Sequence, residues 1–300
     1  MRLYAVSDLH VGFKANRQLL AALPAHPDDW LIVAGDVGET LEQMAFALET
    51  LVPRFAQVLW VPGNHELWTL PSDEGAPRGE ARYQQLVDMC RAVGVLTPED
   101  PFPLYEGEGG PAVVAPLFVG YDYTFVPDEV GVDRALAWAA EEDLVCADEA
   151  YLHPDPYESK GAWCRQRAAI SEARLDDLDP RYPTVIVNHY PLHEDHAVLP
   201  RIPRFKIWCG TKLTERWPER YRARVVVYGH LHIPSTRFLD GVRYEEVSVG
   251  YPKQWKNRPF GGPSLRPILP EPSSFPYDWD TLVARHRARL AAKAKAEGTG

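Results

Sequence analysis

Three times within the first 66 residues, an apolar run ends in a turn built from Asp, His and Asn. Leu3-Tyr4-Ala5-Val6 leads into Ser7-Asp8-Leu9-His10, and Trp30-Leu31-Ile32-Val33-Ala34 leads into Gly35-Asp36. Gln57-Val58-Leu59-Trp60-Val61 leads into Pro62-Gly63-Asn64-His65-Glu66. Such short apolar runs read as buried strands. Helical stretches lie between them. One runs from Ala15 to Leu23 and is closed by Pro24; the other runs from Leu41 to Leu51, with Thr40 as N-cap and Pro53 as stop. Strand, polar turn and helix in repetition predict an α/β fold with a largely parallel sheet. In such sheets ligands bind beyond the carboxyl ends of the strands, which is where Asp8, His10, Asp36, Asn64 and His65 fall. A solvated turn would scatter polar residue types, whereas these turns carry metal-ligand types each time.

Two later runs end the same way. Pro183-Thr184-Val185-Ile186-Val187 runs into Asn188-His189, and Arg224 to Tyr228 runs into Gly229-His230-Leu231-His232. At a strand end, residues i and i+2 point to one side. Asp8 with His10, and His230 with His232, can therefore each reach a single spot. Mixed carboxylate, amide and imidazole donors suit Mn, Fe, Zn or Co.

These five blocks are Asp8-Leu9-His10, Gly35-Asp36, Gly63-Asn64-His65-Glu66, Asn188-His189 and Gly229-His230-Leu231-His232. In kind and order they resemble the calcineurin-like metallophosphoesterase superfamily, over residues 8–232. The resemblance implies a two-sheet β-sandwich flanked by helices, four layers αββα, with metals at one edge. It also implies a two-metal centre. Asp8, His10 and His232 would hold one ion; Asn64, His189 and His230 would hold the other; Asp36 would bridge them. Two cations at roughly 3.5–4 Å lower the pKa of a shared water towards neutrality. The reaction implied is attack of a metal-bridging hydroxide on phosphorus, with His65 as the acid beside the leaving group. The first expectation for substrate is a small phosphorylated metabolite, hydrolysed as a phosphomonoester. The alternative is a phosphodiester: a cyclic nucleotide, a phospholipid head group or a short oligonucleotide. A non-catalytic scaffold would lack ligands, and here each ligand type is in place.

The formal net charge of −10 repels phosphate backbones and disfavours a long nucleic-acid partner. A small phosphate ester stays open, because bound cations reverse the field locally. Cys90, Cys146, Cys164 and Cys209 form no C-x-x-C pair and read as free thiols. With no secretory signal and no apolar run of spanning length, a cytoplasmic protein without a membrane partner is expected.

Further helices are predicted over Glu80–Val93, Ala135–Ala150 and Trp163–Leu178, with Arg165 and Arg167 on a solvated face. A strand is predicted from Ala112 towards Tyr121, and a hairpin over 236–248 turns at Asp240-Gly241. Residues 97–111 read as a loop, and His193 and His196 as exposed rim. Residues 1–258 read as one domain, with rim or cap insertions near 98–165 and 200–220. Residues 259–300 read as an irregular Pro-rich segment and a tail, with a basic helix from Thr281 to Ala296.

Overall fold

A computed structural model describes residues 1–71, 75–256, 258, 265–284 and 288. Strands β1 (Leu3–Val6), β2 (His26–Val33) and β3 (Phe55–Trp60) lie parallel, with Val6 level with Val33 and Val33 with Trp60. The crossovers carry α1 (Lys14–Ala21) and α2 (Leu41–Leu51). Thr40 caps α2, its hydroxyl accepting from the Gln43 N–H at 3.2 Å. After β3 come the single turn α3 (Asn64–Leu67) and α4 (Gly79–Ala92).

The second sheet has the order β4-β5-β6-β7-β9-β8. Its strands are β4 (Leu104–Tyr105), β5 (Ala112–Pro116), β6 (Thr184–Val187), β7 (Ala223–Tyr228), β8 (Ser235–Leu239) and β9 (Val242–Glu246). The four inner strands are parallel and the two edges antiparallel. The expected 236–248 hairpin is the β8–β9 edge.

Period-two alternation builds the layers. Ile32, Val185, Val187, Val225 and Val227 pack between the sheets. Leu31 and Val33 face α2 and α4 through Met44, Leu48, Leu86 and Val87. Ile186, Val226 and Tyr228 face the opposite way, onto α7 (Lys160–Asp176) and α8 (Trp217–Arg220). Both faces of each sheet are covered, so the carboxyl-terminal halves of β2, β3, β6 and β7 (30–33, 58–60, 185–187 and 225–228) are apolar at successive positions and read as continuous runs. The result is the four-layer αββα sandwich.

The structure departs from the sequence reading at several places. The predicted helix over Ala135–Ala150 is two short ones, α5 (Ala135–Ala140) and α6 (Asp148–Tyr151), because left-handed Asp143 (φ 56°) breaks it. The 97–111 loop contains β4, and the stretch expected as insertion from residue 98 begins with β4 and β5, which are sheet strands. Arg167 is not on a solvated face. It is buried, 2.5 Å from Glu99, with its guanidinium over the rings of Tyr83 and Phe118. His196 is not exposed either: it is 3% accessible and stacks on Tyr244 at 3.8 Å. The Pro-rich stretch holds β10 (Arg266–Leu269), which follows α9 (Pro252–Trp255) and pairs antiparallel with β1. Proline is tolerated there because β10 is an edge strand. The first sheet therefore extends past residue 258. Residues 279–284 are helical, and most of the basic helix expected to Ala296 lies outside the described residues.

Candidate metal centre

The turns after β1, β2, β3, β6 and β7 converge at one end of the sandwich. Backbone bonds hold the first two together beyond the sheet: the Asp8 N–H donates to Gly35 O at 2.9 Å and the His10 N–H to Asp36 O at 3.0 Å. The Gly250 N–H donates to Asp8 O at 2.9 Å, and the Gly229 N–H to His189 O at 2.9 Å, which ties in the second sheet. The turns are tight enough to force strained backbone. Asp8, His10, Asp36, His230 and His232 have φ values of 53°, 40°, 54°, 71° and 55°. Left-handed non-glycine residues cost about 1–3 kcal/mol each and persist where the surroundings impose them. Gly63 is required by close approach, since a Cβ there would sit 2.1 Å from Asp36 Oδ1.

Six of the side chains proposed from the sequence bring their donor atoms together here. Donor atoms of Asp8, His10, Asp36 and His232 lie within 4.8 Å of one another, as do those of Asp36, His189 and His230. Asp36 belongs to both groups. Its Oδ2 is 3.9 Å from His10 Nε2 and 3.5 Å from His189 Nε2. His10 Nε2 and His232 Nε2 are 3.1 Å apart, and His232 Nε2 is 3.0 Å from Asp8 Oδ1.

The tautomers favour ligation. His189 Nδ1–H donates to Ala34 O at 2.8 Å and His232 Nδ1–H to Gln254 Oε1 at 2.9 Å. Each bond leaves Nε2 facing the centre. His189 Nε2, His230 Nε2 and Asn64 Oδ1 are buried without hydrogen-bond partners. Three orphaned acceptors beside a carboxylate shared by both groups fit a cation, because a buried acceptor left unpaired is costly.

Charge balance fits too. Burial opposes ionisation of Asp8 and Asp36, but the surrounding imidazoles, His232 for the first and His189 for the second, hold both carboxyls well below the usual range. Burial pulls His10 and His230 down to about 3, leaving them neutral donors. Burial also works against charge on His189, yet Asp36 lifts it to about 10, so a cation bound there would take the place of the Nε2 proton. The anionic pair thus gathers positive charge around itself.

His65 lies beside the donors without joining them. Its Nε2 is 3.8 Å from Asp36 Oδ2, its Nδ1–H faces Glu39 Oε1 at 3.3 Å, and its ring stacks on Trp68 at 3.8 Å. Burial lowers its pKa, but Asp36 and Glu39 outweigh that and raise it to about 9.

Sequence reasoning missed several supporting residues. Fully buried Asp148, at the start of α6, accepts from Asn64 Nδ2 at 2.9 Å and Trp68 Nε1 at 2.7 Å, both on Oδ1. It fixes the Asn64 amide with its oxygen left free. Asp8 Oδ2 accepts from Ser7 at 2.5 Å and from Ser248 at 2.6 Å, and the His230 N–H donates to both carboxylate oxygens, which turns Oδ1 towards His232. Glu66, read as a neighbour of the site, holds the Asp36, Val37 and Gly63 N–H groups at 3.0, 2.9 and 3.2 Å. No local pattern marks Asp148 or Ser248, since each acts on a residue distant in sequence.

The sequence profile of calcineurin-like phosphoesterases matches residues 1–234. The chain is 49% identical over 277 residues to the [acyl-carrier-protein] phosphodiesterase PptH of Mycobacterium tuberculosis, covering 91% of this chain and 85% of that protein. The crystal structure of the phosphopantetheinyl hydrolase PptH from Mycobacterium tuberculosis is similar with a TM-score of 0.88 and 48% identity, over 92% of this chain and 98% of that one. Family profile, fold and donor-bearing turns agree: the chain is a metal-dependent phosphoric ester hydrolase belonging to the calcineurin-like phosphoesterase family.

Proposed function

We propose that this protein hydrolyses the phosphodiester that joins a phosphopantetheinyl arm to an acyl carrier protein. The observation that carries this is near-half identity, over most of both chains, to a phosphodiesterase of that description; the gathered Asp8, His10, Asp36, His189, His230 and His232 support it. The support goes to the diester reading over the small-metabolite monoester that came first in the sequence reading.

Asp8, His10 and His232 would hold one divalent transition-metal ion, and Asn64, His189 and His230 a second, with Asp36 between them. Such a pair supplies Lewis-acid activation of water and positive charge for the phosphoryl oxygens. The chain's own residues do the rest. Asp36 belongs to both donor groups and would serve both ions, and Glu66 pins the Asp36 backbone. Asp148 and Ala34 orient Asn64 and His189. His65, held through Nδ1 by Glu39 and lying beside the donors, would supply a proton to the oxygen that leaves with the carrier protein. Water adds to phosphorus, the bond to the carrier oxygen breaks, and that oxygen takes the proton. The products are a free carrier hydroxyl and the arm as a phosphomonoester.

The test is intact mass spectrometry of a phosphopantetheinylated acyl carrier protein incubated with the Mn-loaded enzyme, with Asp36→Asn as blank. The expected result is loss of one phosphopantetheinyl group from the carrier. Turnover of bis(p-nitrophenyl) phosphate with an unchanged carrier would leave a diesterase for another substrate. Preference for p-nitrophenyl phosphate would restore the monoester reading.

A further inference from the structure

Tyr251 stands beside the donor cluster, at the residue before α9. Its ring lies 4.6 Å from His10 and 4.7 Å from His232, two members of one donor group. The backbone around it is fixed from several sides. The Gly250 N–H donates to Asp8 O at 2.9 Å. Gln254 Oε1 accepts from the Tyr251 N–H at 2.7 Å and from His232 Nδ1–H at 2.9 Å, so one amide oxygen ties the Tyr251 backbone to the His232 ring. α9 is held in turn by Trp255 Nε1, which donates to Asn16 Oδ1 at 2.9 Å. Phe13, 46% exposed, packs against the Tyr251 ring at 5.4 Å.

The side chain is half-buried, so a bound molecule can reach it. The hydrogen bonds of Tyr251 run through its backbone, and its hydroxyl has no partner among the described residues. A tyrosine hydroxyl that leaves water ordinarily finds an acceptor. Burial first, then the Asp36, Asp8 and Glu39 carboxylates, push the phenol's pKa upward, so the charges acting on the hydroxyl are those of the centre and of the carboxylate that faces His65. An unpartnered donor thus sits next to the place where the phosphoryl group of a substrate would be held.

We propose that Tyr251 is a further catalytic residue: its hydroxyl donates a hydrogen bond to a non-bridging oxygen of the phosphoryl group seated at the donor cluster. No proton is transferred; the phenol keeps its hydrogen while charge builds on the oxygen it touches. A bond from a neutral donor to an anionic oxygen strengthens as that charge grows, so it stabilises the transition state more than the bound ester. The His10 ring is flanked by His65 at 4.7 Å and by Tyr251 at 4.6 Å. His65 would then serve the leaving oxygen, and Tyr251 an oxygen that stays on phosphorus. The assignment holds for a monoester or a diester and does not depend on the carrier-protein reading.

The experiment is Tyr251→Phe in the full-length Mn-loaded protein, which keeps the ring against His10, His232 and Phe13 and removes only the hydroxyl. Three quantities are read: ions per chain by elemental analysis, affinity for orthovanadate by calorimetry, and kcat/KM at saturating Mn on bis(p-nitrophenyl) phosphate and p-nitrophenyl phosphate. Orthovanadate is the probe because its five-coordinate form resembles the transition state. The expected result is an unchanged metal count, weaker orthovanadate binding, and a fall of about 10–100-fold in kcat/KM on whichever ester wild type hydrolyses, carried mainly by kcat. Tyr251→Leu, which loses ring and hydroxyl together, should fall at least as far. Rates for Tyr251→Phe within about twofold of wild type would overturn the proposal, even if Tyr251→Leu were impaired, because the ring would then act by packing alone. A loss of rate that follows a loss of bound metal would also overturn it, by making Tyr251 a brace for His10 and His232. So would unchanged orthovanadate affinity, since the hydroxyl would not touch the phosphoryl group.

Discussion

Asp36 is the residue on which both donor groups depend, since its carboxylate is common to the two. Asp36→Asn is expected to lower bound metal and activity together, read as ions per chain by elemental analysis beside the rate. Retention of two ions and full turnover would refute the shared role. His65 is expected to matter most where the leaving oxygen is a poor leaving group. His65→Ala should lower the rate on alkyl esters by about 10²–10⁴-fold and on nitrophenyl esters far less, because proton donation assists only the former. An equal loss on both would mean positioning alone. Asp148 tests the support shell. Asp148→Ala frees the Asn64 amide to rotate and should weaken metal binding or activity about 10–100-fold. Asp148→Asn keeps an acceptor for Asn64 and Trp68 and should recover most of that loss in a metal titration. The five blocks of Asp, Asn and His were legible because residue types able to ligate a metal stand out at the ends of apolar strands. Asp148 was not, because a hydrogen bond across 84 residues leaves no local spacing.

Most elements were legible through continuity or period. The carboxyl-terminal halves of β2, β3, β6 and β7 are apolar on both faces, and α2 announces itself with a Thr cap and a closing Pro. β10 was hidden because Pro267 and Pro270 mimic a loop, yet Ile268 and Leu269 are 0% and 1% exposed between the sheets. Ile268→Ala should cost about 2–5 kcal/mol, read as a lower midpoint in chemical denaturation, since it opens a cavity in a layer that cannot collapse. A change below about 0.5 kcal/mol would mean that β10 is peripheral. His196 escaped the sequence for a related reason: a short polar segment reads as rim until β9 supplies Tyr244 to stack on.

At the scale of the whole molecule, stability should fall on the acid side of neutrality, partly through His196. Burial, then Arg237 and His193, pull its pKa from 6.5 to about 3 in the fold. The native state therefore favours the neutral ring and the unfolded chain binds the proton first. Stability from this group is whole above pH 6.5 and is lost progressively as pH falls towards 3, by about 2 kcal/mol at pH 5. His196→Phe should flatten the slope of unfolding free energy against pH between 6.5 and 5; an unchanged slope would exclude the effect. By itself, the sequence determined which residues end the strands, that the sheets are covered on both faces, and that Asp, Asn and His side chains gather at the strand ends. Those follow from local chemistry: hydrophobic period, caps, and the narrow choice of metal ligands. Only the tertiary structure decided which donors share Asp36, which second partner fixes each tautomer, and that Asn16 is held against Gly250, 234 residues away. Contacts of that kind depend on how the two sheets pack, and a single chain read in order carries no distance between its ends.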